Sequence, residues 1–339
     1  MRQRRIIGLF VAFLGVLAVG FFLRRAEEKP VEKSRFLFGT LIRITAYGPG
    51  AASGVDRALA EMERIHGLTA QNEGLVALIN ERAGQSPVPV GEELFNLLEK
   101  IFRLAEETKG YFNPVIGSLV ELWDFDYEGK GRLPSPEEIR SVLPLTQREQ
   151  VVLDEERQTV FLKQAGMKLD LSGVAKGYAV DRAWAILKEA GVTGALINGG
   201  ESSIRVLGER PGGGPWRIAV SHPRRNGWIG ILQLRSGQAL GTSADTQRYF
   251  EENGRRYSHL LNPLTGYPPT DLMSVTVLAP SALEADLYST AVFVAEGKDR
   301  KDFLARLGIE AVLVDADTEI LVTPGMETIF KKSTGEGEE

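Results

Sequence analysis

The alternation of hydrophobic and polar residues predicts short strands mixed with amphipathic helices, without a regular strand–helix repeat. Strands are predicted at residues 41–47, 151–153, 159–162, 216–220, 230–234 and 274–278, and helices near 53–66, 91–109, 136–142, 174–190 and 282–296. Two pairs of predicted strands are close enough in sequence to form hairpins. The pattern therefore favours an α+β fold with largely antiparallel or mixed sheets and flanking helices.

Residues 6–23 form an uncharged run of eighteen residues between arginine-rich flanks. Eighteen residues are enough to span a bilayer, and three arginines before the run favour a cytoplasmic N-terminus. We therefore expect a retained signal anchor in the bacterial cell membrane, with the rest of the chain extracytoplasmic. A cleaved signal peptide is the alternative. Without any cysteine, the chain cannot be a lipid-modified lipoprotein or form disulfides.

The composition of the chain agrees with a large folded unit that follows residues 6–23. The chain has 339 residues, 43% of them hydrophobic, and a net charge of −5. This negative net charge does not suggest the basic surface that a nucleic-acid-binding protein needs. The predicted organisation is a signal anchor at residues 1–25, a linker at 26–35, one catalytic domain at 36–330 and a disordered tail at 331–339.

A glycine-studded helix start follows an apolar segment near the middle of the chain. Ser172 is the predicted N-cap, and Gly173 and Gly177 allow backbone to approach a ligand closely. Lys176 adds a positive charge where helix amides already favour anions. The pattern suits a phosphorylated ligand, although such loops are packing devices about as often as ligand sites.

A second polar cluster lies on a predicted helix near the C-terminus. Ser281 and Glu284 have the spacing of a capping box. Asp286, Ser289 and Thr290 follow at i, i+3 and i+4, so the three side chains share one helical face. An all-oxygen cluster suits Mg²⁺, which needs few carboxylates and keeps water and substrate phosphates as ligands. The alternative is that the aspartate is a surface acid and the threonine faces the core.

Six sequence segments occur in an order that resembles the ApbE family of flavin transferases, the FAD:protein FMN transferases. The resemblance extends from about Phe38 to about Thr323. The segments are FGTLIRITAYG from 38, FNPVIGSLVELWDFD at 112–126, LDLSGVAKGYAVD at 169–181, INGGESSIRVLG at 197–208, YSHLLNPLTGYPP at 257–269 and EADLYSTA at 284–291.

The resemblance implies an ApbE-like domain and a Mg²⁺-dependent reaction. Such an enzyme binds FAD, transfers FMN to a Thr or Ser hydroxyl of an acceptor protein, and releases AMP. The expected acceptor is a redox protein with a Ser/Thr-Gly-Ala-Thr-like motif. A Mg²⁺-dependent FAD pyrophosphatase, which uses water as the nucleophile, is the alternative, and a flavin-binding protein without catalysis is another.

Position by position, the resemblance also implies a metal site. Asp286 and Thr290 are its expected side-chain ligands, and Gly173 contributes through its backbone. Ser289 belongs to the same set, at a position where some family members carry a second aspartate. That difference predicts less negative charge around the metal in this chain.

The FAD site follows from the same comparison. Phe38 and Trp123 are the expected aromatic walls, Asp170 and Lys176 are expected to line the site, and Leu260 is expected to contribute a backbone contact. One departure concerns an aromatic lid residue of the family, because Ala70 occupies its position here.

His259 and Asp286 are the expected catalytic residues. An imidazole with a pKa near neutrality can take the proton of the acceptor hydroxyl. The alternative for His259 is a structural histidine that orients the following turn. His66 and His222 lie in an amphipathic helix and beside a proline, and both are interpreted as structural.

Overall fold

A computed structural model describes residues 29–126 and 129–333 of the chain. The predicted signal anchor at residues 6–23 lies outside these residues. Within the two described stretches, none of the helices combines the length and the hydrophobicity that a membrane crossing requires.

The described residues form an α+β fold. The strands are β1 Val31–Leu37, β2 Thr40–Tyr47, β3 Val88–Pro89, β4 Val151–Asp154, β5 Thr159–Leu162, β6 Gly194–Gly199, β7 Ser203–Gly208, β8 Trp216–Ser221, β9 Trp228–Leu234, β10 Ala239–Ala244, β11 Tyr249–Glu252, β12 Arg255–Ser258, β13 Leu272–Ala279, β14 Glu310–Asp315, β15 Ile320–Val322 and β16 Phe330–Lys332. The helices are α1 Ala51–Thr69, α2 Gly74–Glu81, α3 Gly91–Glu107, α4 Gly117–Trp123, α5 Pro136–Val142, α6 Ser172–Glu189, α7 Ala282–Val294, α8 Gly297–Leu307 and α9 Pro324–Glu327.

Eight strands make the main sheet, in the order β1-β2-β6-β7-β10-β13-β14-β15. Neighbouring strands in this sheet run antiparallel. Three smaller sheets have the orders β11-β12, β16-β9-β8 and β3-β5-β4. The two predicted hairpins are present as the β4–β5 and β8–β9 pairs. The sequence-based prediction of antiparallel pairing is therefore confirmed.

Two predicted boundaries were wrong. Residues 26–35 were expected to be a linker, but β1 begins at Val31 and pairs with β2 along seven positions. The predicted tail begins at residue 331, yet Lys331 and Lys332 belong to β16 and pair with β9. Backbone hydrogen bonds to a neighbouring strand stabilise both segments, although their side chains are mostly polar and exposed.

Helix α7 is buried on several sides at once. Its apolar positions Leu283, Leu287, Ala291 and Val294 are 0 or 1% exposed. On the face towards β10, an added methyl group at Gly241 would lie 2.2 Å from the backbone of Ala285. Only a glycine permits this approach. The close contact holds the polar face of α7 against the sheet.

The N-terminus of α7 is fixed by side chains. Ser281 Oγ accepts a hydrogen bond from the Glu284 amide at 3.2 Å, which confirms the predicted N-cap. Asp181 of α6 accepts hydrogen bonds from the amides of Ala282 and Leu283 at 2.8 and 3.1 Å. A carboxylate is stabilised at a helix N-terminus, so Asp181 ties α6 to α7. The predicted helix end was too late, because α7 stops at residue 294.

Candidate functional site

A cavity of about 420 Å³ lies where α6, α7 and the end of β10 meet the loop after β12. Nine of the ten predicted site residues line it, and these come from distant parts of the chain. They are Phe38, Asp170, Gly173, Lys176, His259, Leu260, Asp286, Ser289 and Thr290. The fold therefore brings together almost all of the predicted metal, FAD and catalytic residues.

Asp286 is the main acidic group of this cavity, and its side chain is only 7% exposed. Ser203 Oγ lies 2.8 and 2.6 Å from its two carboxylate oxygens. Burial raises the pKa of Asp286 to about 7, while Lys176, Ser203 and the amide of Gly177 oppose this rise. A carboxylate in this environment gains stability when a cation binds beside it.

Ser289 and Thr290 complete an oxygen cluster around the carboxylate. Their hydroxyl groups donate hydrogen bonds to the Asp286 carbonyl at 3.0 and 3.1 Å. Ser243 Oγ of β10 lies 2.9 Å from Ser289 Oγ and 3.3 Å from Thr290 Oγ1. The described residues contain no group of three or more His, Cys, Asp or Glu that could hold a metal. One carboxylate with hydroxyl oxygens around it is a donor set that suits Mg²⁺, because this ion binds few carboxylates and completes its shell with water and phosphate oxygens.

Gly177 allows α6 to approach this cluster. An added methyl group at Gly177 would lie 2.4 Å from the Ala282 carbonyl oxygen and 2.8 Å from Asp286 Oδ2. Gly67, inside α1, has no atom within 4 Å of the same position. The two glycines therefore make a matched pair, since both lie inside helices.

We expect Gly177→Ala to reduce both stability and activity, because the methyl group pushes α6 away from α7. Gly67→Ala is the control and should raise stability by about 0.5–1 kcal/mol through helix propensity. Urea denaturation and a transfer assay measure the two effects. Equal stabilisation by both substitutions would show that the close contact at Gly177 is unimportant.

The start of α6 differs from the prediction. Leu171 occupies the N-cap position, and Ser172 is the first residue of the helix. The side chain at the N-cap makes no capping hydrogen bond. Instead, Asp170 Oδ1 accepts a hydrogen bond from the Ser172 amide at 2.7 Å. Asn80 holds the preceding residue, Leu169, through hydrogen bonds to its carbonyl and amide at 3.0 and 2.7 Å. Asp170 is thereby positioned at the cavity wall.

Lys176 points its charge into the same cavity from the first turns of α6. Burial lowers its pKa, and the negative charge of Asp286 opposes that shift. A partly buried cation near an acidic cluster is well placed to neutralise phosphate oxygens.

His259 lines the same cavity and lies immediately after β12. Its Nδ1 is 3.1 Å from the Arg248 carbonyl oxygen, and its amide donates to the same oxygen at 3.0 Å. A carbonyl only accepts, so Nδ1 carries the hydrogen and Nε2 has a free lone pair. Burial, with Arg248 and Lys176, lowers the pKa of His259 to about 3. This pKa is well below the near-neutral value expected from the sequence, so the imidazole is neutral in the ligand-free protein. Nε2 becomes an effective proton acceptor only when a bound anion raises the pKa.

Trp123 does not line the cavity, so its predicted role as an aromatic wall was wrong. It is 0% exposed and stacks on Phe125 with ring centroids 5.6 Å apart. Phe250 and Tyr257 also pack against it, and its Nε1 donates to the Gly266 carbonyl at 2.9 Å. The indole therefore supports the β11–β12 hairpin.

Trp123→Phe should lower the free energy of unfolding by about 1–3 kcal/mol, because the buried Gly266 carbonyl loses its donor. FAD affinity should stay nearly constant. Urea denaturation and a fluorescence titration with FAD test this. Unchanged stability together with much weaker FAD binding would restore the flavin-wall assignment.

Phe38 is the predicted aromatic residue that the cavity does contain. Its backbone is left-handed, with φ of 53°, and its ring meets His66 edge-on at 4.8 Å. Tyr111 is a further aromatic at the wall, which the sequence patterns did not identify. Its hydroxyl donates to Asp299 at 2.7 Å. Ala70 does not line the cavity, so the family's lid position contributes no wall here.

Comparison of the sequence with known proteins identifies the family of this chain. The ApbE family model matches residues 38–313. The FAD:protein FMN transferase of Klebsiella pneumoniae strain 342 is 34% identical over 304 residues, which cover 88% of this chain and 93% of that protein.

Solved structures of ApbE proteins have a fold similar to that of this chain. The ApbE protein of Thermotoga maritima MSB8 superimposes with a TM-score of 0.82 at 33% identity, covering 90% of this chain and 100% of that one. Apo flavinyl transferase ApbE of Pseudomonas stutzeri gives 0.76 at 28% identity, with coverages of 92% and 98%. The chain belongs to the ApbE family. The family prediction and the α+β ApbE-like fold are thus confirmed, and the predicted enzyme class is the one named for these relatives.

Proposed function

We propose that this protein transfers FMN from FAD to a serine or threonine hydroxyl of an acceptor protein, in a Mg²⁺-dependent reaction that releases AMP. The observation that carries the proposal is the convergence of the Asp286 oxygen cluster, Lys176 and His259 in one cavity. Phosphoryl transfer needs neutralised phosphate oxygens and an activated hydroxyl, and this cavity contains groups for both.

The chemical step balances with these groups. The acceptor hydroxyl oxygen attacks the phosphorus of the FMN half of FAD and forms a new P–O bond. The bond from that phosphorus to the bridging oxygen breaks, and AMP leaves with the bond's electron pair. Nε2 of His259 takes the hydroxyl proton, because Nδ1–H is bound to the Arg248 carbonyl. The negative diphosphate beside the imidazole favours its protonated form during the step.

Asp286 and Thr290 are the proposed side-chain ligands of Mg²⁺, with Ser289 and the Gly173 backbone beside them. Bound Mg²⁺ supplies charge neutralisation on the diphosphate oxygens. Lys176 adds a second positive charge, and Ser203 holds the Asp286 carboxylate in place through hydrogen bonds at 2.8 and 2.6 Å. Phe38 offers an aromatic surface for a ring of FAD.

The test incubates the full chain with FAD, Mg²⁺ and an acceptor domain carrying a Ser/Thr-Gly-Ala-Thr-like segment. Intact-protein mass spectrometry should show an acceptor heavier by one FMN unit, and chromatography should show AMP. Omission of Mg²⁺ should stop both. Free FMN and AMP with an unmodified acceptor would favour the pyrophosphatase, and intact FAD would overturn catalysis on this acceptor.

We also propose that the catalytic domain faces the extracytoplasmic side, held by a membrane anchor at residues 6–23. The arginines on either side of this uncharged run support the proposal, with more of them before it than after it. Protease added to intact cells whose outer layers have been opened should digest the domain. Protection of the domain until the inner membrane is lysed would contradict it.

A further inference from the structure

A second cavity, of about 350 Å³, lies on the other face of β10 from α7. Side chains alternate along a strand, so Gly241 and Ser243 face α7, whereas Leu240 lines only this second cavity. Strand β8 forms the opposite wall, through residues that include Ile218 and Ser221. Its volume is in the range of sites that bind small ligands or peptide side chains.

The two cavities meet at the end of β10. Four residues line both of them, namely Ser202, Thr242, Ala244 and Gln247. Gln247 directly precedes Arg248, whose carbonyl oxygen holds His259. A chain segment in the second cavity therefore lies beside residues that also border the first cavity, which contains His259.

Ser202 at this junction has an unused hydroxyl. Its side chain is 8% exposed, and its Oγ is buried without a hydrogen-bond partner in residues 29–126 and 129–333. Buried hydroxyls are nearly always hydrogen-bonded in folded proteins. Since Ser202 lines both cavities, rotation of its side chain towards either one would let a polar ligand supply the missing partner.

The walls of the second cavity suit an uncharged segment better than another phosphate group. Small hydroxyl side chains line it, and Thr242 and Thr276 are hydrogen-bonded to each other at 3.0 Å. Nearby Arg224 is held by Asp245 through contacts of 2.7 and 2.5 Å. Burial and two neighbouring arginines lower the pKa of His222, which disfavours a positive charge at this wall.

Two further charged residues line the second cavity, Glu201 and Arg217. Both are exposed, and their charges have opposite signs. This arrangement lacks the several cations that a phosphate site needs. A hydroxyl-bearing segment of small residues, with its backbone amides and carbonyls, matches hydroxyl walls above an apolar floor.

We propose that the second cavity binds the hydroxyl-bearing segment of the acceptor protein and delivers its serine or threonine past Ala244 to His259. This inference rests on the proposed FMN transfer, and it assigns the acceptor a site distinct from that of FAD. Ser202 Oγ forms a hydrogen bond with the backbone of the bound segment.

The test uses a substitution that narrows the second cavity and leaves every lining residue of the first cavity unchanged. Ser221 lines only the second cavity and is exposed at its rim, so Ser221→Trp partly fills the entrance. Ser86→Trp is the matched control at an exposed serine that lines neither cavity. We expect Ser221→Trp to raise the KM for the acceptor peptide by at least about tenfold, with the KM for FAD unchanged. The control should leave both constants near the wild-type values.

An acceptor KM equal to that of Ser86→Trp would overturn the inference, and so would a raised KM for FAD, which would assign the cavity to the nucleotide. A photo-crosslinking peptide gives a second measurement on the wild-type protein. A benzophenone beside the acceptor hydroxyl should label residues of β8 or 244–247, and labelling confined to other surfaces would contradict the proposal. Failure of the wild-type chain to modify any acceptor would instead overturn the proposed function itself.

Discussion

Asp286→Asn should lower the rate of FMN transfer by at least about 10³-fold, because the amide keeps the shape of the side chain but removes the charge that would hold the proposed Mg²⁺. Ser203 and Gly177 can still bond to the amide oxygen, so the local fold should survive. A steady-state assay with saturating FAD and a range of Mg²⁺ concentrations measures the loss. Thermal unfolding with and without Mg²⁺ and FAD should show that ligand-induced stabilisation disappears in the variant.

Asp271→Asn is a suitable control for this experiment. Asp271 pairs with Arg300 at 2.8 and 2.9 Å and lines neither cavity. Its substitution should reduce stability, since the 8%-exposed arginine loses its charged partner and keeps only carbonyl acceptors, but should leave the transfer rate nearly unchanged. Similar activity losses in both variants would mean that Asp286 acts through stability alone. Full activity of Asp286→Asn would remove it from the catalytic machinery.

His259→Ala should reduce kcat by about 10²- to 10⁴-fold, the usual contribution of a general base. FAD affinity should change little, because the proposed role of the imidazole concerns the acceptor hydroxyl. Single-turnover kinetics with preformed FAD complex, together with a fluorescence titration of FAD, separate the chemical step from binding.

His259→Asn distinguishes the base from a structural histidine. An asparagine side-chain amide can replace Nδ1–H as donor to the Arg248 carbonyl, whereas alanine cannot. If His259 is the base, both variants should be equally slow. Recovery of most of the activity in His259→Asn alone would identify the residue as an anchor for the β11–β12 hairpin.

Helices α1, α3, α5, α6 and α7 were predictable from the sequence pattern, and side-chain caps mark the start of two of them. Ser135 and Glu138 form a complete capping box before α5, and Ser281 caps α7. The strands that the pattern missed include β6, which ends at Gly199, and β10, whose pattern is interrupted by Gly241. The structure explains the second glycine, since only a residue without a side chain fits against Ala285. Glycine thus weakened the local signal at the position where tertiary packing needed it.

The site was predictable as far as its residues belong to recognisable segments. Ser203 was not identified, although it binds both oxygens of Asp286 from 83 positions away. Asp181 was missed in the same way, because its contacts with the start of α7 are tertiary. Trp123 shows the opposite error. An aromatic residue within a matching segment was assigned to the flavin, but the backbone directs it into a buried aromatic cluster.

The enclosure of α7 also constrains how this protein can diverge. One helix carries the carboxylate and hydroxyls of the site, while its other faces fill the core around Leu283, Leu287 and Ala291. Substitutions in α7 that change the proposed metal ligands will therefore also reduce stability. Natural variation in specificity should accumulate instead on β8 and the loop after β10, where side chains reach the second cavity without supporting the core helix.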